Sequence, residues 1–269
     1  MSLPRAWADL KTTDFAQLDP ARAVAVLPLG ATEQHGPHLP LDVDRAIVDG
    51  IVAAALPQVP AQCPVVVLPT QSVGYSPEHA AFAGTLSLPY EAVLAGWIAH
   101  GEGAARAGLK KLLLFNAHGG HVSLMDIAAR ELRARGLIVY ACSWWNLPLG
   151  DAVNGLFSRE EHRFGVHGGE IETSLMLALR PESVAMGMAK DFPSTSQERA
   201  RAYPILGNGT SAKLGWHMQD YNREGAAGNA CAATAAKGHA VLDAAAAQLA
   251  LLVQEISSLP LTTLSSTRA

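Results

Sequence analysis

The chain has 269 residues, of which 49% are hydrophobic, and it carries a formal net charge of -4 at pH 7. This length and apolar content suffice to bury a full core, and we predict one α/β domain over residues 1–269. Lysine and arginine form no long blocks, so the sequence predicts no binding to nucleic acid or to an anionic membrane surface.

Cysteine usage and the first residues both predict a cytoplasmic protein. Cys63, Cys142 and Cys231 are far apart and form no CxxC pair, which is typical of buried thiols in a reducing compartment. Residues 1–10 contain charges and a proline instead of a continuous apolar core, so we expect no secretory signal there. No charge-free apolar run is long enough to span a bilayer, and we expect no membrane role.

Short β-branched apolar runs alternate with segments of helical periodicity. Strands are predicted at residues 23–29, 65–68, 110–115 and 137–143, and helices at 43–56, 90–108, 122–135, 170–179 and 230–256. This alternation predicts a largely parallel sheet covered by helices on both faces, with ligands bound beyond the carboxyl ends of the strands. Residues 144–165 are a candidate lid, in which Trp144 and Trp145 either close over a flat substrate or pack in an interface or core. Residues 186–229 indicate only short strands and loops.

The loop after the first predicted strand, at residues 30–44, combines carboxylates with imidazoles. Glu33 and His35 project to the same side of an extended segment, so they can offer two metal ligands about 6–7 Å apart. Asp44, like Asp42, stands where it can cap the next helix, but its two oxygens can instead bridge a pair of cations. Divalent metals bind such mixtures of oxygen and nitrogen donors. The alternative is a polar surface loop with incidental histidines.

Two later clusters add donors of the same kinds. The run NAHGGH presents the imidazole of His118 in a glycine-rich turn after the third predicted strand. The run HGGEIE begins at His167 and places Glu170 and Glu172 in the first turn of a helix. Either glutamate can ligate a metal or merely complement the helix dipole. Taken together, the three clusters predict a dinuclear metal site.

Four runs of this sequence resemble the creatininase family (creatinine amidohydrolases). They are LPLGATEQHGPHLPLDVD at 27–44, FAGTLSL at 82–88, FNAHGGH at 115–121 and HGGEIETSLML at 167–177. The resemblance implies a three-layer α/β/α sandwich, usually assembled as a homohexamer. It also implies two divalent metal ions, which are zinc, manganese or iron.

The resemblance also implies a role for each ligand. Glu33 and His118 would hold one metal, His35 and Glu172 would hold the second, and Asp44 would bridge both.

This chain departs from the creatininases after the third predicted strand. There the family has a tyrosine and a metal-binding glutamate after the histidine, whereas Gly119 and Gly120 stand here, so Glu172 must supply the missing carboxylate. The Gly-Gly form resembles relatives that remove formyl groups from formamidopyrimidine intermediates, trim the mycofactocin precursor peptide or hydrolyse cyclic ketoses. Ala117 and His121 differ from the usual glycine and asparagine of that subgroup.

Several other polar residues are candidates for substrate contacts. Ser76 and His79 belong to a long irregular loop at residues 69–89, and His121 is either an extra substrate contact or a solvent-facing residue at a helix start. His38 is expected to hydrogen-bond within its own loop. The remaining histidines have no partner at ligand spacing and are expected at the surface or in the core: His100, His162, His217 and His239.

These features predict a dinuclear-metal-dependent amidohydrolase of a small linear or cyclic amide, of creatinine or formamide type, that cleaves C–N bonds other than peptide bonds. His167 and Glu172 are the predicted catalytic residues, and His167 passes a proton to the leaving nitrogen. The alternative activity is ring opening of a cyclic ketose or lactone at the same metals. The non-enzymatic alternative is an oligomeric scaffold that binds metal.

Overall fold

The centre of the fold is a four-stranded parallel sheet. The computed structural model describes residue 3 and residues 5–264, to which all statements below refer. The strands are β1 (Val24–Leu29), β2 (Val65–Val67), β3 (Lys111–Asn116) and β4 (Ile138–Ser143), in the order β2-β1-β3-β4. All six residues of β1 and of β3 are buried, which explains why β1 and the middle four residues of β3 are continuously apolar instead of alternating.

Nine α-helices lie in the described part of the chain, and the long ones cover both faces of the sheet. They are α1 (Val43–Ala55), α2 (Tyr90–Arg106), α3 (Val122–Ala134), α4 (Asp151–Asn154), α5 (Arg159–Phe164), α6 (Glu170–Leu179), α7 (Thr195–Ala202), α8 (Met218–Tyr221) and α9 (Ala235–Ser258). Helices α1, α6 and α9 pack on one face of the sheet, against Val24 and Val26 of β1. Helices α2 and α3 pack on the other face, against Ala25 and Leu27. The predicted α/β/α sandwich is therefore confirmed, whereas the single domain over residues 1–269 stays a prediction.

The last helix begins five residues later than predicted. Residues 230–232 form a 3-10 turn, and the side chain of Thr234 accepts a hydrogen bond from the backbone N–H of Lys237, which fixes the start of α9. This helix is long and apolar enough to cross a membrane by length and composition alone, but half of its most apolar window is buried inside the protein. Its buried side packs against α1, α6 and the sheet.

The two segments without a clear sequence pattern contain short elements. The candidate lid at residues 144–165 folds into α4 and α5 after a 3-10 turn. Residues 186–229 contain α7, α8 and an antiparallel pair, β5 (Asp191–Phe192) with β6 (Gly228–Asn229). Ala227, just before β6, donates its backbone N–H to the carbonyl of His167 at 2.8 Å. The second segment therefore supports a predicted site residue.

The cysteines differ from the prediction in their burial. All three are free, but only Cys63 is buried, while Cys142 is half-buried and Cys231 is exposed. Cys231 lies on the 3-10 turn before α9, which leaves its side chain at the surface. The expectation of three buried thiols is therefore wrong for two of them.

Candidate metal centre

All five predicted metal ligands meet beyond the carboxyl ends of β1 and β3. The two strands are neighbours in the sheet, so the loops that follow them lie side by side. The loop after β1 and the first turn of α1 contribute three residues, the turn after β3 contributes one, and the first turn of α6 contributes one: Glu33, His35, Asp44, His118 and Glu172. Four of them are almost completely buried, and the side chain of Glu172 is 19% exposed.

The carboxylate of Asp44 lies between two imidazoles. Its Oδ1 is 3.3 Å from His35 Nε2, and its Oδ2 is 3.3 Å from His118 Nδ1. Asp42 is the N-cap residue of α1 but makes no side-chain capping bond, and Asp44 lies in the first turn of the same helix. Each oxygen thus faces a different histidine, which is the arrangement that a bridging carboxylate requires.

Two more carboxylates flank Asp44, one beside each histidine. Glu33 Oε1 lies 3.2 Å from His118 Nδ1, and Glu172 Oε2 lies 4.0 Å from His35 Nε2. Glu33 Oε1 is also 3.9 Å from His35 Nε2, much closer than the 6–7 Å expected for side chains that project in parallel. Both side chains converge on Asp44 instead.

Backbone carbonyls fix the tautomers of both histidines. His35 Nδ1 donates to the carbonyl of Glu33 at 3.0 Å, and His118 Nε2 donates to the carbonyl of Tyr75 at 2.9 Å. Because a carbonyl only accepts, the other nitrogen of each ring faces Asp44 with its lone pair free. Histidine ligands of metals are usually oriented by such a bond at the far nitrogen.

The donor set fits divalent cations. His35 Nε2 and Asp44 Oδ2 are buried without a hydrogen-bond partner among the described residues, which is costly unless something else satisfies them. Two donors on one tetrahedral zinc at about 2.0–2.1 Å are about 3.3 Å apart. The Asp44 distances to both histidines and the distance from Glu33 to His118 match that spacing.

The pKa shifts in the cluster show that its carboxylates need positive charge beside them. Burial would raise the pKa of Glu33, but attraction to His118 holds it below its usual value. Burial opposes protonation of His35, yet the Asp44 carboxylate beside it raises the pKa of His35 to about 9. Burial raises the pKa of Glu172 to about 7. Without a bound cation, protonated imidazoles therefore supply the positive charge that offsets the charge of the carboxylates.

The two glutamates of α6 have separate partners. Glu172 lines a cavity next to the metal-ligand cluster, and its Oε2 accepts the backbone N–H of Gly168 at 2.6 Å. Glu170 is buried on the other side of the helix, where its carboxylate binds the ammonium group of Lys237. The choice of Glu172 over Glu170 is thus consistent with the positions of both side chains.

Gln34 holds two histidines that line a cavity beside the cluster, His79 and His167. The side-chain oxygen of Gln34 accepts the N–H of Gly36 at 2.9 Å, so its amide nitrogen donates to His79 Nδ1 at 2.7 Å. The proton of His79 is then on Nε2, which faces Glu33 Oε1 at 3.5 Å. His167 Nε2 donates to the carbonyl of Gln34 at 2.6 Å, so its Nδ1 is the free acceptor. Sequence reasoning missed Gln34, although it stands between two predicted ligands.

Burial keeps both of these histidines neutral. It lowers the pKa of His79 to about 4 and that of His167 well below its usual value. The two rings stack with their centroids 4.1 Å apart. A ring nitrogen of His167 also lies within 4.8 Å of ligand atoms of Glu172 and His35, and these three residues form a group that could hold a metal ion.

The structure places three other polar residues whose roles were predicted: Ser76, His121 and His38. Ser76 is fully buried, and its hydroxyl donates to Glu33, so it helps to position this predicted metal ligand. His121 occupies neither predicted position: it is fully buried against His118, accepts the N–H of Tyr75 at 3.2 Å and does not line the cavity. His38 bonds outside its own loop, with Nε2 2.9 Å from the hydroxyl of Thr173 in α6.

Glu78 is the carboxylate that sequence reasoning missed. Its Oε1 lies 3.6 Å from His118 Nε2, and it forms a possible ligand group with Glu33 and His118. It fills the space beside Gly120, on the Glu33 and His118 side of the cluster. Glu172 lies on the His35 side of the cluster, the side on which the resemblance puts it. The sequence did offer one signal for Glu78, since this acidic residue lies between the two predicted substrate contacts Ser76 and His79.

These residues open into a cavity of about 270 Å³. Carboxylates and imidazoles form its floor, and Trp144, Trp145 and Trp216 form part of its wall. The ring nitrogen of Trp144 is buried without a hydrogen-bond partner among the described residues. His162, expected to be an ordinary surface or core residue, also lines this cavity. A cavity of this size suits a small molecule or one end of a larger one.

The sequence is similar to characterised hydrolases over most of its length. A family model described as Creatininase, creatinine amidohydrolase, matches residues 8–253. The mycofactocin precursor peptide peptidase of Mycobacterium ulcerans (strain Agy99) is 35% identical over 181 residues, 65% of this chain and 66% of that protein, so the match spans just under two thirds of that relative. The creatinine amidohydrolase of Pseudomonas putida is 32% identical over 68% of this chain and 74% of its own. The 3-dehydro-scyllo-inosose hydrolase of Thermotoga maritima is 28% identical over 62% and 53%, respectively.

Solved structures of creatininases share the fold. A tryptophan-to-alanine mutant creatininase superposes with a TM-score of 0.76 at 24% identity, covering 95% of this chain and 99% of that chain. A glutamate-to-glutamine mutant of the Zn–Zn type has a TM-score of 0.73 at 25% identity, covering 96% and 100%. A manganese creatininase has a TM-score of 0.71 at 23% identity, covering 95% and 99%.

Proposed function

Because this chain belongs to the creatininase family, whose members are hydrolases, we propose that it is a dinuclear-metal-dependent hydrolase of an amide C–N bond. The observation that carries the proposal is the position of Asp44, with one oxygen facing His35 Nε2 and the other facing His118 Nδ1. Glu33 and His118 would hold one cation, and His35 and Glu172 would hold the other. Zinc, manganese and iron all accept these donors.

Divalent cations in this donor set supply Lewis acidity, which polarises an amide carbonyl and lowers the pKa of water. His167 supplies proton transfer: its Nε2–H is held by the carbonyl of Gln34, so Nδ1 accepts a proton and later releases it to the leaving nitrogen. His79 Nε2–H is aimed at Glu33 and helps to hold that carboxylate in place. The tryptophans of the wall exclude water from a bound substrate.

We propose a small formamide-type or cyclic amide as the substrate, and not creatinine itself. A β-carbon at Gly119 would meet nothing within 4 Å, so the cavity lacks an aromatic wall at that position. Loss of one good packing contact costs about 1–3 kcal/mol, or roughly 10–200-fold in specificity.

Peptide cleavage is the second candidate. It is favoured by the 35% identity to the mycofactocin precursor peptide peptidase. Ring opening of a cyclic ketose is the third, and it is suggested by the more distant inosose hydrolase.

A substrate panel distinguishes these activities. The protein is stripped of metal, reloaded separately with zinc, manganese and iron(II), and offered formamides, creatinine, short peptides and cyclic ketoses. We expect formamide hydrolysis with two metals bound per chain and a loss of at least 100-fold in kcat for His167→Asn at unchanged metal content. A fully loaded protein that cleaves no amide would contradict the proposal. Faster turnover of creatinine than of formamides would overturn only the choice of substrate.

A homohexamer and a cytoplasmic location are also proposed for this chain. Light scattering on a size-exclusion column tests the first, since a monomeric metal-loaded protein would exclude a hexamer. Fractionation of the source cells tests the second.

A further inference from the structure

A second cavity of about 270 Å³ adjoins the metal-site cavity. Val166 and Trp216 line both volumes, so the two cavities share a wall. The second cavity lies between α5, α7, α8 and the loop at residues 206–216. A molecule longer than the first cavity can therefore extend past Trp216 into the second.

The two cavities carry opposite charges. The cations Arg163, Arg199 and Lys213 line the second cavity, and none of its described lining residues is acidic. Four carboxylates line the first: Glu33, Asp44, Glu78 and Glu172. A substrate that spans both would place a neutral amide at the metal site and a negative group in the second cavity.

Arg199 has an unused donor at this place. Its Nη1 donates to the hydroxyl of Thr195 at 3.0 Å, and its guanidinium lies over the ring of Tyr221 at 5.0 Å. Its Nη2 is buried and has no hydrogen-bond partner among the described residues. A buried donor left unpaired costs free energy, and an oxygen of an anionic ligand would satisfy it. The planar guanidinium suits carboxylates and phosphates in particular.

Aromatic rings connect this cation to the metal site. The ring of Tyr221, beneath Arg199, lies 4.7 Å from that of Trp216, and Trp216 contacts His79 edge-on at 6.1 Å. Arg163, which also lines the second cavity, is held by a hydrogen bond from its Nη2 to the carbonyl of Gly207 at 2.8 Å. The cationic cavity is therefore built from α5, α7 and α8 together, beside the reaction site.

We propose that the second cavity binds a terminal carboxylate or phosphate of an elongated substrate, through Arg199 and Arg163, while the amide lies at the metals. The substrate class is thus an amide with a distant anionic end, which covers both a peptide with a free carboxyl terminus and a phosphate ester. This inference rests on the proposed function only in assuming that cleavage occurs at the metal site.

The test uses three series of N-formyl-ω-aminoalkanes of increasing chain length, which end in a carboxylate, a phosphate or a neutral hydroxyl. Affinity for the metal-loaded protein is measured by calorimetry, and turnover is measured separately. We expect one chain length at which an anionic compound binds about tenfold more tightly than the hydroxyl compound, with a preference that weakens in high salt. The carboxylate and phosphate series show which anion is preferred.

Variants locate the effect. Arg199→Met and Arg163→Met should each abolish the tenfold preference without changing affinity for the hydroxyl compound. Arg201→Met is the matched control, because Arg201 is exposed on the same helix and lines neither cavity. Thermal melting shows whether each variant is folded, and the Arg163 variant provides an independent answer if the Arg199 variant is not.

The outcomes separate the two proposals. No anionic preference at any chain length, or a preference retained in both folded arginine variants, would overturn the anion site. Absence of turnover with an intact anionic preference would contradict the proposed hydrolase while the anion site is retained. Hydrolysis of all three series at equal efficiency and equal affinity would contradict the anion site alone.

Discussion

The carboxylate of Glu78 occupies the space beside Gly120 that a β-carbon at that position would need. That β-carbon would also press on the ring of His118 and lie 2.9 Å from the backbone oxygen of Tyr75. A backbone atom cannot yield as a flexible side chain does, so the glycine lets His118 and Glu78 keep their places. Gly119 differs, because a β-carbon there would meet nothing within 4 Å.

Gly120→Ala should therefore weaken metal binding. Displacement of His118 and Glu78 disturbs the Glu33 side of the site, and we expect at least a tenfold loss of affinity for one of two metals, in line with disturbed ligand geometry. Elemental analysis after dialysis against a weak chelator measures this. Gly119→Ala is the control and should keep both metals, and equal metal content in the two variants would refute the role of Gly120.

Asp44→Asn should remove both metals. Each oxygen of Asp44 faces a different imidazole, so the loss of its charge weakens both sites at once. Asp42→Asn is the control, because Asp42 pairs with Arg45 and Arg180 at the half-exposed start of α1 and should not affect metal content. One metal retained at full occupancy in the Asp44 variant would rule out bridging.

The two glutamates of α6 should respond differently to amidation. Glu172→Gln should lose one metal and most activity, because the glutamine lacks the charge that faces His35. Glu170→Gln should keep both metals but lower the free energy of unfolding by about 1–3 kcal/mol, since Lys237 loses its charged partner. Metal analysis and urea unfolding of both variants measure this, and the reverse pattern would overturn the assignment.

The sequence predicted the layers of the fold and the meeting of the five ligands for a physical reason. Glu33, His35 and His118 follow directly after apolar strands, and parallel strands bring such segments to one edge of the sheet. Strand and helix periodicity is local, so it can be recognised without knowledge of the tertiary structure. Asp44 was ambiguous because a helix start and a metal favour the same carboxylate.

Features that depend on distant segments were not predictable in this way. Glu78 reaches His118 from a loop about forty residues earlier, and only the structure shows that Glu78 lies in the space beside Gly120. His121 and His38 were misplaced because their partners, Tyr75 and Thr173, come from other elements. The cationic cavity likewise depends on the packing of short helices whose sequences have no strong periodicity.

His38 should make stability depend on pH. Its ring is buried against Phe192, its Nε2 bonds the hydroxyl of Thr173, and its Nδ1 has no partner among the described residues. Burial lowers its pKa to about 4, whereas the pKa of an unfolded histidine is about 6.5. Between these values the unfolded chain binds a proton that the folded chain does not, so stability falls as the pH drops from 6.5 towards 4.

Comparison with His38→Gln isolates this contribution. Glutamine keeps a donor near Thr173 but does not titrate, and the other buried histidines titrate in both proteins. Urea unfolding of the two chelated proteins at pH 7.5, 6.5, 5.5 and 5.0 gives the free energies. Between pH 7.5 and 5.0 the native protein should lose about 1–2 kcal/mol more than the variant, because only its folded state rejects a proton at residue 38. Two parallel curves would show that residue 38 is readily protonated in the folded protein and would refute the prediction.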